Sequence, residues 1–354
     1  MRDEMTASIR TLLPFELEKI LTDEFGEKKF RTSQILRWIF AERVQSWDEM
    51  TNISKQLRAK LASRFELEPL PVPEEHIAKD GTNKIAFKLS DNSIVESVLI
   101  PTEDRLTLCV SSQVGCKFNC AFCRTATLGF FRSLTCEEII QQVMVAQNVA
   151  ARDNRRITNL VFMGMGEPLD NYDNLVRSIR ILLEPQAFDF SRRKITLSTV
   201  GHVPGLQALA RENLGINLAI SLHAASDELR SQIMPANRIW HLDELFDTLK
   251  QFPLEQRQRI TFEYIIIKDL NHSAHDANLL VKRLHGIPSK VNLIGFNAFE
   301  GCKFQSPSAA DMLEFQERLL SKGLATSIRL ARGDDELAAC GQLGHKGDKS
   351  FHLQ

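Results

Sequence analysis

Apolar residues recur along this chain with more than one spacing, and the changes of spacing divide it. Over residues 1–66 the recurrence is helical, most clearly in ILRWIF (35–40) and ISKQLRAKLASRF (53–65). Pro14 is placed to start a helix there and Gly26 to end one. The stretch LEPLPVPEE (67–75), with three prolines, reads as a linker. Beyond it, KIAFKL (84–89) and SIVESVLIP (93–101), parted by Ser90, Asp91 and Asn92, predict a β-hairpin.

From residue 105 short β-rich runs alternate with amphipathic helical stretches. The predicted strands are RLTLCV (105–110), ITNLVFMG (157–164), KITLSTV (194–200), INLAISL (216–222), ITFEYIII (260–267) and KVNLIGF (290–296). Between and after them lie helical stretches such as 136–151, 172–183, 242–251, 273–285 and 309–322. This alternation predicts a parallel sheet with crossover helices. Six such units make an α/β fold, an incomplete (β/α)6 barrel, better than a closed eight-stranded one. The expected division is an N-terminal helical domain (1–66), a linker with the hairpin (67–101), the barrel (102–345) and a C-terminal tail (346–354).

Composition narrows the class. Hydrophobic residues make up 43% and charged residues 25% of the 354, as in ordinary globular proteins. No apolar run approaches the ~20 residues that span a membrane, and MRDEMTASIRTLLPFELEKI carries charges where a secretion signal needs an apolar stretch. The expectation is a cytoplasmic protein, in which seven cysteines point to metal binding or catalysis and away from a disulfide framework. A net charge of −1 argues against coating nucleic acid by charge alone. The basic clusters Arg152, Arg155, Arg156 and Arg192, Arg193, Lys194 read as solvated ends of elements, with a confined RNA-facing patch as the other reading.

The densest chemistry lies in CVSSQVGCKFNCAFCRTA (109–126), directly after the first predicted barrel strand. It spaces Cys116, Cys120 and Cys123 as CxxxCxxC. Three thiolates on one short loop can hold three irons of a cubane cluster and leave the fourth iron open to a substrate. A structural zinc site recruiting Cys109 is the alternative, although zinc sites favour paired CxxC knuckles. In parallel barrels, ligands bind at the carboxyl ends of strands. There lie Gly166, Glu167, Ser198, Ser221, Leu222, His223 and Asn297. Singly each has a plain explanation: a turn glycine, a cap serine, a core histidine. Their recurrence at successive strand ends favours one shared site.

The CxxxCxxC loop resembles that of the radical S-adenosylmethionine (AdoMet) superfamily. There the open iron binds the amino and carboxylate groups of AdoMet, and reduction releases a 5′-deoxyadenosyl radical. That resemblance implies one [4Fe–4S] cluster on Cys116, Cys120 and Cys123, and AdoMet held by the strand-end residues. Glu167 could accept a hydrogen bond from the AdoMet ammonium, and Ser198 and Asn297 could bond ribose or carboxylate groups. GMGEPL (164–169), TLSTVG (196–201), AISLHA (219–224), AACGQL (338–343) and CVSSQVGC (109–116) together resemble the dual-specificity RNA adenine-C2 methyltransferases, the RlmN family. The likeness extends to KFRTSQILRWIF and WDEMTNISKQLR near the N-terminus. A sister group methylates C8 and usually reads GMGEAL, whereas Pro168 here sides with the C2 enzymes. Ala298 and the pair Glu336-Leu337 depart from the family's usual residues.

The RlmN resemblance implies roles. Cys340 would become S-methylated and carry the methyl carbon, Glu96 would take the C2 proton, and Cys109 would resolve the covalent adduct by forming a disulfide with Cys340. From the residues alone, Glu96 better suits a solubilising charge on an edge strand, and Cys109 and Cys340 suit ordinary packing. Packing is also the reading for Cys136 and Cys302, with Thr135 and Glu138 forming a capping box around Cys136. The implied substrates are an adenosine in the peptidyl-transferase centre of 23S rRNA and the adenosine beside the anticodon of some tRNAs. The implied reductant is a flavodoxin-like electron donor, acting on a monomeric chain. Other radical AdoMet chemistry is the second enzymatic reading, and a zinc-bound RNA-binding protein is the non-enzymatic one.

Overall fold

The structure, a computed structural model, describes residues 7–344. The tail expected at 346–354 lies outside the described residues. Twelve strands are described, and ten of them share one sheet. The first three are β1 (Glu74–Ile77), β2 (Asn83–Lys88) and β3 (Ile94–Pro101), followed by β4 (Leu106–Cys109). Next come β5 (Gln113–Gly115), β6 (Phe130–Ser133), β7 (Asn159–Phe162) and β8 (Ile195–Thr199). The last are β9 (Asn217–Ser221), β10 (Ile260–Ile266), β11 (Ser289–Gly295) and β12 (Thr326–Arg329). The sheet order is β1-β2-β3-β4-β7-β8-β9-β10-β11-β12, and β5 pairs only with β6.

From β4 to β12 every neighbouring pair is parallel. Each step between them is made by helical segments, for example Cys136–Arg152 between β4 and β7 and Ala274–Leu284 between β10 and β11. β12 does not pair back onto the other end of the sheet, so the barrel is incomplete. Six crossovers are present as expected, but they end on a further parallel strand, β12, whose short TSIR carries little apolar signal. β1 likewise falls partly inside the expected linker, because EEHI is a polar outer strand held by pairing alone.

β2 and β3 form the hairpin, with Asn92 at φ 67 in its turn, and β3 pairs antiparallel with β4. The hairpin thereby extends the barrel sheet at the strand that leads into the cysteine loop. Thr135 caps the helix Cys136–Arg152 with Glu138 completing the capping box, and Ser178 Oγ bonds the buried Cys136 sulfur at 3.3 Å. The N-terminal helices pack into the same apolar core as the barrel, with the Phe40 and Phe188 rings 5.1 Å apart. No helix among the described residues is long and apolar enough to cross a membrane.

Candidate active site

The CVSSQ segment works as a strap. Ser111 Oγ donates to the Glu96 carbonyl at 2.6 Å and accepts from Met165 N at 2.8 Å. Gln113 accepts from Glu167 N at 2.9 Å and donates to Asp170 Oδ2 at 2.9 Å. Gln142, from the helix behind, bonds Ser97, the Ser111 amide and the Ser111 carbonyl. The hairpin, the cysteine loop and the GMGEP turn are therefore one unit. The glycines of that turn answer to this packing. A Cβ on Gly164 would lie 2.5 Å from Ser111 Oγ, and one on Gly166, at φ +96, would lie 2.4 Å from Gln113 Cβ. Gly115, at φ +74, would meet the Gly129 carbonyl oxygen at 1.8 Å, where Cys116 N already donates to that oxygen.

Beyond the strap, Cys116, Cys120 and Cys123 line a cavity of about 150 Å³ with Gly166, Glu167, Ser198, Ser221 and His223. Five strand-end residues singled out from the sequence thus share one wall with the three cysteines. Leu222 is not among them: its side chain is in the apolar core, and its amide bonds the Glu263 carbonyl. Strand alternation sends it away from its neighbours. Asn297 lines a second, larger cavity and donates to the Cys340 carbonyl at 3.1 Å.

The electrostatics of the smaller cavity follow from burial. It pushes the Cys116 thiol up to about 12 and raises Cys120 and Cys123 as well. Three such thiols ionise together only when cationic charge shares the cavity. Among the described residues no three His, Cys, Asp or Glu side chains come together around a single ion. Cys109 does not line this cavity, so it is not placed there as the fourth ligand of a zinc site. A donor set of three spread thiols with one open side fits a cluster with one iron per cysteine. Burial also pushes the Glu167 carboxyl up to about 7, although its two oxygens accept from Leu169 N and Val200 N at 3.1 and 2.8 Å. His223 is driven down to about 3 by burial and so is neutral, its Nδ1 accepting from Ile265 N at 3.0 Å.

The larger cavity, about 630 Å³, is lined by Cys109, Cys340, Asn297, Glu263 and Arg329 among others. Cys340 and Cys123 line both cavities. Cys109 is 7% exposed and its thiol is pushed up to about 12 by burial, then by Cys340 nearby, with Arg329 opposing. Glu96 departs from expectation. It is 1% exposed on an interior strand, so it is no edge-strand solubilising charge. Nor does it reach the cavity wall, although Val98 and Ile100 of the same strand face do. Gly344 N donates to Glu96 Oε2 at 2.6 Å, while Oε1 faces Lys84 Nζ at 3.7 Å.

Two residues passed over in the sequence matter here. Arg230 is buried beneath the smaller cavity and donates to the Leu222, Val200 and Ser221 carbonyls and to Asn237 Oδ1, tying two strand ends together. Arg329 ends β12. Neither belongs to a motif with its own spacing. Of the basic clusters, Arg152 pairs with Glu75 at 2.6 Å and Arg155 donates to the Thr102 and Arg105 carbonyls.

Residues 12–67 match the model of the ribosomal RNA large subunit methyltransferase N-terminal domain, and residues 110–279 match that of the radical SAM superfamily. A dual-specificity RNA methyltransferase RlmN of Nautilia profundicola is 47% identical over 91% of this chain and 95% of its own. That of Syntrophobacter fumaroxidans is 48% identical over 90% and 92%. The crystal structure of a radical SAM methyltransferase from Sphaerobacter thermophilus superposes with a TM-score of 0.88 at 39% identity, covering 95% of this chain and 98% of that one. The superfamily's cofactors, a [4Fe–4S] cluster and AdoMet, suit the three-cysteine cavity. Identity of this extent over both the N-terminal helices and the barrel places the chain in the RlmN family of radical SAM enzymes.

Proposed function

We propose that this protein methylates C2 of adenosine in RNA by way of an S-methylcysteine at Cys340. The targets are an adenosine in the peptidyl-transferase centre of 23S rRNA and the adenosine beside the anticodon in a subset of tRNAs. The observation that carries the reading is the position of Cys340, on the wall of both cavities, with Cys109 on the wall of the larger one. A cavity of about 630 Å³ accommodates a nucleoside extruded from its stack.

C2 of adenine is electron-poor and does not attack a sulfonium methyl group. When bound, the cluster and AdoMet supply a methyl group and a 5′-deoxyadenosyl radical. Cys116, Cys120 and Cys123 hold the cluster, and Glu167, Ser198, Ser221 and His223 surround AdoMet in this reading. Cys340 carries the carbon from one cavity to the other, since it lines both. Glu96 takes the C2 proton once Gly344 has moved off its carboxylate. Cys109 then attacks the Cys340 sulfur: an S–S bond forms as the S–C bond breaks, and the released carbon takes up a proton to become the methyl group. The N-terminal helices grip the RNA, and a flavodoxin-like donor reduces a monomeric chain.

The experiment is peptide mass spectrometry joined to an RNA assay. A fraction of the purified protein is expected to carry one added methyl on the Cys340 peptide. Cys340→Ala is expected to hold iron normally and to methylate no RNA. A Cys340→Ala protein that methylates RNA at the wild-type rate would mean direct transfer to the base, and the reading would fall.

A further inference from the structure

Arg329 has no part in the roles assigned above, yet it lies on the wall of both cavities, on a strand the sequence did not reveal. It shares both walls with Cys340 and Glu263, and the larger one with Cys109 as well. Among the described residues its one side-chain hydrogen bond runs from Nη1 to the Met163 sulfur at 3.6 Å, a weak acceptor. Glu263, 4% exposed on β10, accepts from Asn292 Nδ2 at 3.1 Å through Oε1 and leaves Oε2 without a hydrogen-bond partner. The two side chains form no ion pair among the described residues. A rigid fork of five donors therefore shares a cavity wall with two reactive cysteines, Cys340 and Cys109, and spends little of its hydrogen-bonding capacity on the protein.

Chemistry says what that fork meets. The carbon that reacts has to contact the Cys340 sulfur's methyl group and stay within reach of Cys109. Donors placed beside both sulfurs therefore meet the atoms next to the reacting carbon. In adenine C2 lies between N1 and N3, and both accept hydrogen bonds. C8 lies between N7, an acceptor, and N9, which bears the sugar and accepts nothing. We propose that Arg329 donates a hydrogen bond to a ring nitrogen flanking C2 of the target adenine and so presents C2 to the Cys340 sulfur. The assignment rests on the C2-methylation reading above. It also helps the bond-forming step. When a carbon radical adds at C2, one electron of the C2–N π bond pairs into the new C–C bond. The other stays on the ring, where a guanidinium hydrogen bond to nitrogen stabilises it. Glu263 acts through Arg329, as a positioning residue.

The test is a cycle between enzyme and substrate, using cluster-loaded enzyme and RNA carrying adenosine, 1-deazaadenosine or 3-deazaadenosine at the target. Wild-type enzyme is expected to slow about ten- to a hundredfold on one of the two deaza RNAs, as for loss of a charged hydrogen bond. Arg329→Gln is expected to slow by a similar factor on ordinary RNA, and no further on that deaza RNA. Its iron content and its S-methyl group on Cys340 are expected to stay at wild-type levels, while 5′-deoxyadenosine released per methylated base rises. Glu263→Gln is expected to raise the same ratio by a smaller factor. If Arg329→Gln fails to hold the cluster, the cycle is run with Arg329→Lys, for which partial rescue is expected. Equal rates of wild type on all three RNAs overturn the proposal, and so do losses that multiply. A wild-type enzyme that leaves C2 of ordinary RNA unmethylated overturns the underlying reading and takes the proposal with it.

Discussion

A buried thiol is a poor nucleophile until something charges it, and Cys109 is such a thiol. Burial drives it up to about 12, and the one positive neighbour that opposes this is Arg329. In the proposed mechanism it stays protonated through the early steps and attacks only once Cys340 carries an adduct. Removing it ought to spare the cluster, the S-methyl group and the addition to the base. Cys109→Ala is thus predicted to accumulate a covalent protein–RNA adduct through Cys340 and to complete no turnover. A denaturing gel with and without ribonuclease reads this directly. A nuclease-sensitive slow species that disappears in Cys109→Ala/Cys340→Ala supports resolution by Cys109; its absence, with iron intact, removes Cys109 from the chemistry. The same scale explains why Arg230 and Arg329 escaped notice in the sequence. An isolated arginine has no period and no spacing, and only the fold shows that one ties strand ends and the other faces two sulfurs.

Among the elements, the cysteine loop is seated by backbone and not by its cysteines. Gly115 stands at φ +74 in β5, opposite Phe130 of β6, and a Cβ there would lie 1.8 Å from the Gly129 carbonyl oxygen. Neither the dihedral nor the distance tolerates a side chain. Gly115→Ala is predicted to cost about 3 kcal/mol or more and to leave the protein with little iron, read by iron and sulfide analysis and the visible spectrum. Full iron in a folded Gly115→Ala protein would show that the loop seats itself elsewhere. Legibility varied at this scale for physical reasons. β4, β8, β9 and β10 are mostly buried and show as apolar runs, and β7 and β11 keep enough buried Leu, Val, Phe and Ile for their positions to be read as well. TSIR of β12 and EEHI of β1 are short and largely polar, and their strand state comes from pairing across the sheet. The glycines of GMGEP were visible as a motif, but their reason was not. They pack against Ser111 and Gln113, which lie about fifty residues away in the chain. The capping box at Thr135 was readable because all its parts lie within four residues.

At the scale of the whole molecule, the N-terminal helices are built into the barrel's core. Ile9, Leu17, Leu21, Leu36 and Phe40 belong to the same apolar cluster as the barrel's Ile139, Leu175 and Phe188. Arg10, fully buried, reaches Glu137 at 3.2 Å, and Arg177 on the barrel helix Tyr172–Leu183 donates to the Thr11 carbonyl at 2.7 Å and to Glu16. An RNA grip hung on a finished barrel would need none of this. Removing residues 1–66 uncovers the outer faces of the helices Cys136–Arg152 and Tyr172–Leu183, and Cys136–Arg152 carries Gln142, which anchors the Ser111 strap. The fragment 67–354 is therefore predicted to aggregate or to melt well below the whole chain, and to hold little cluster. Arg177→Ala in the full chain keeps the apolar contact and loses only the polar tie, about 1–3 kcal/mol, a fall of a few degrees in Tm. Thermal melting, iron content and RNA-independent AdoMet cleavage, measured on both proteins, separate the two effects. A fragment that melts with the full chain and cleaves AdoMet at the same rate would show the opposite, that the helices serve RNA alone and the barrel stands without them.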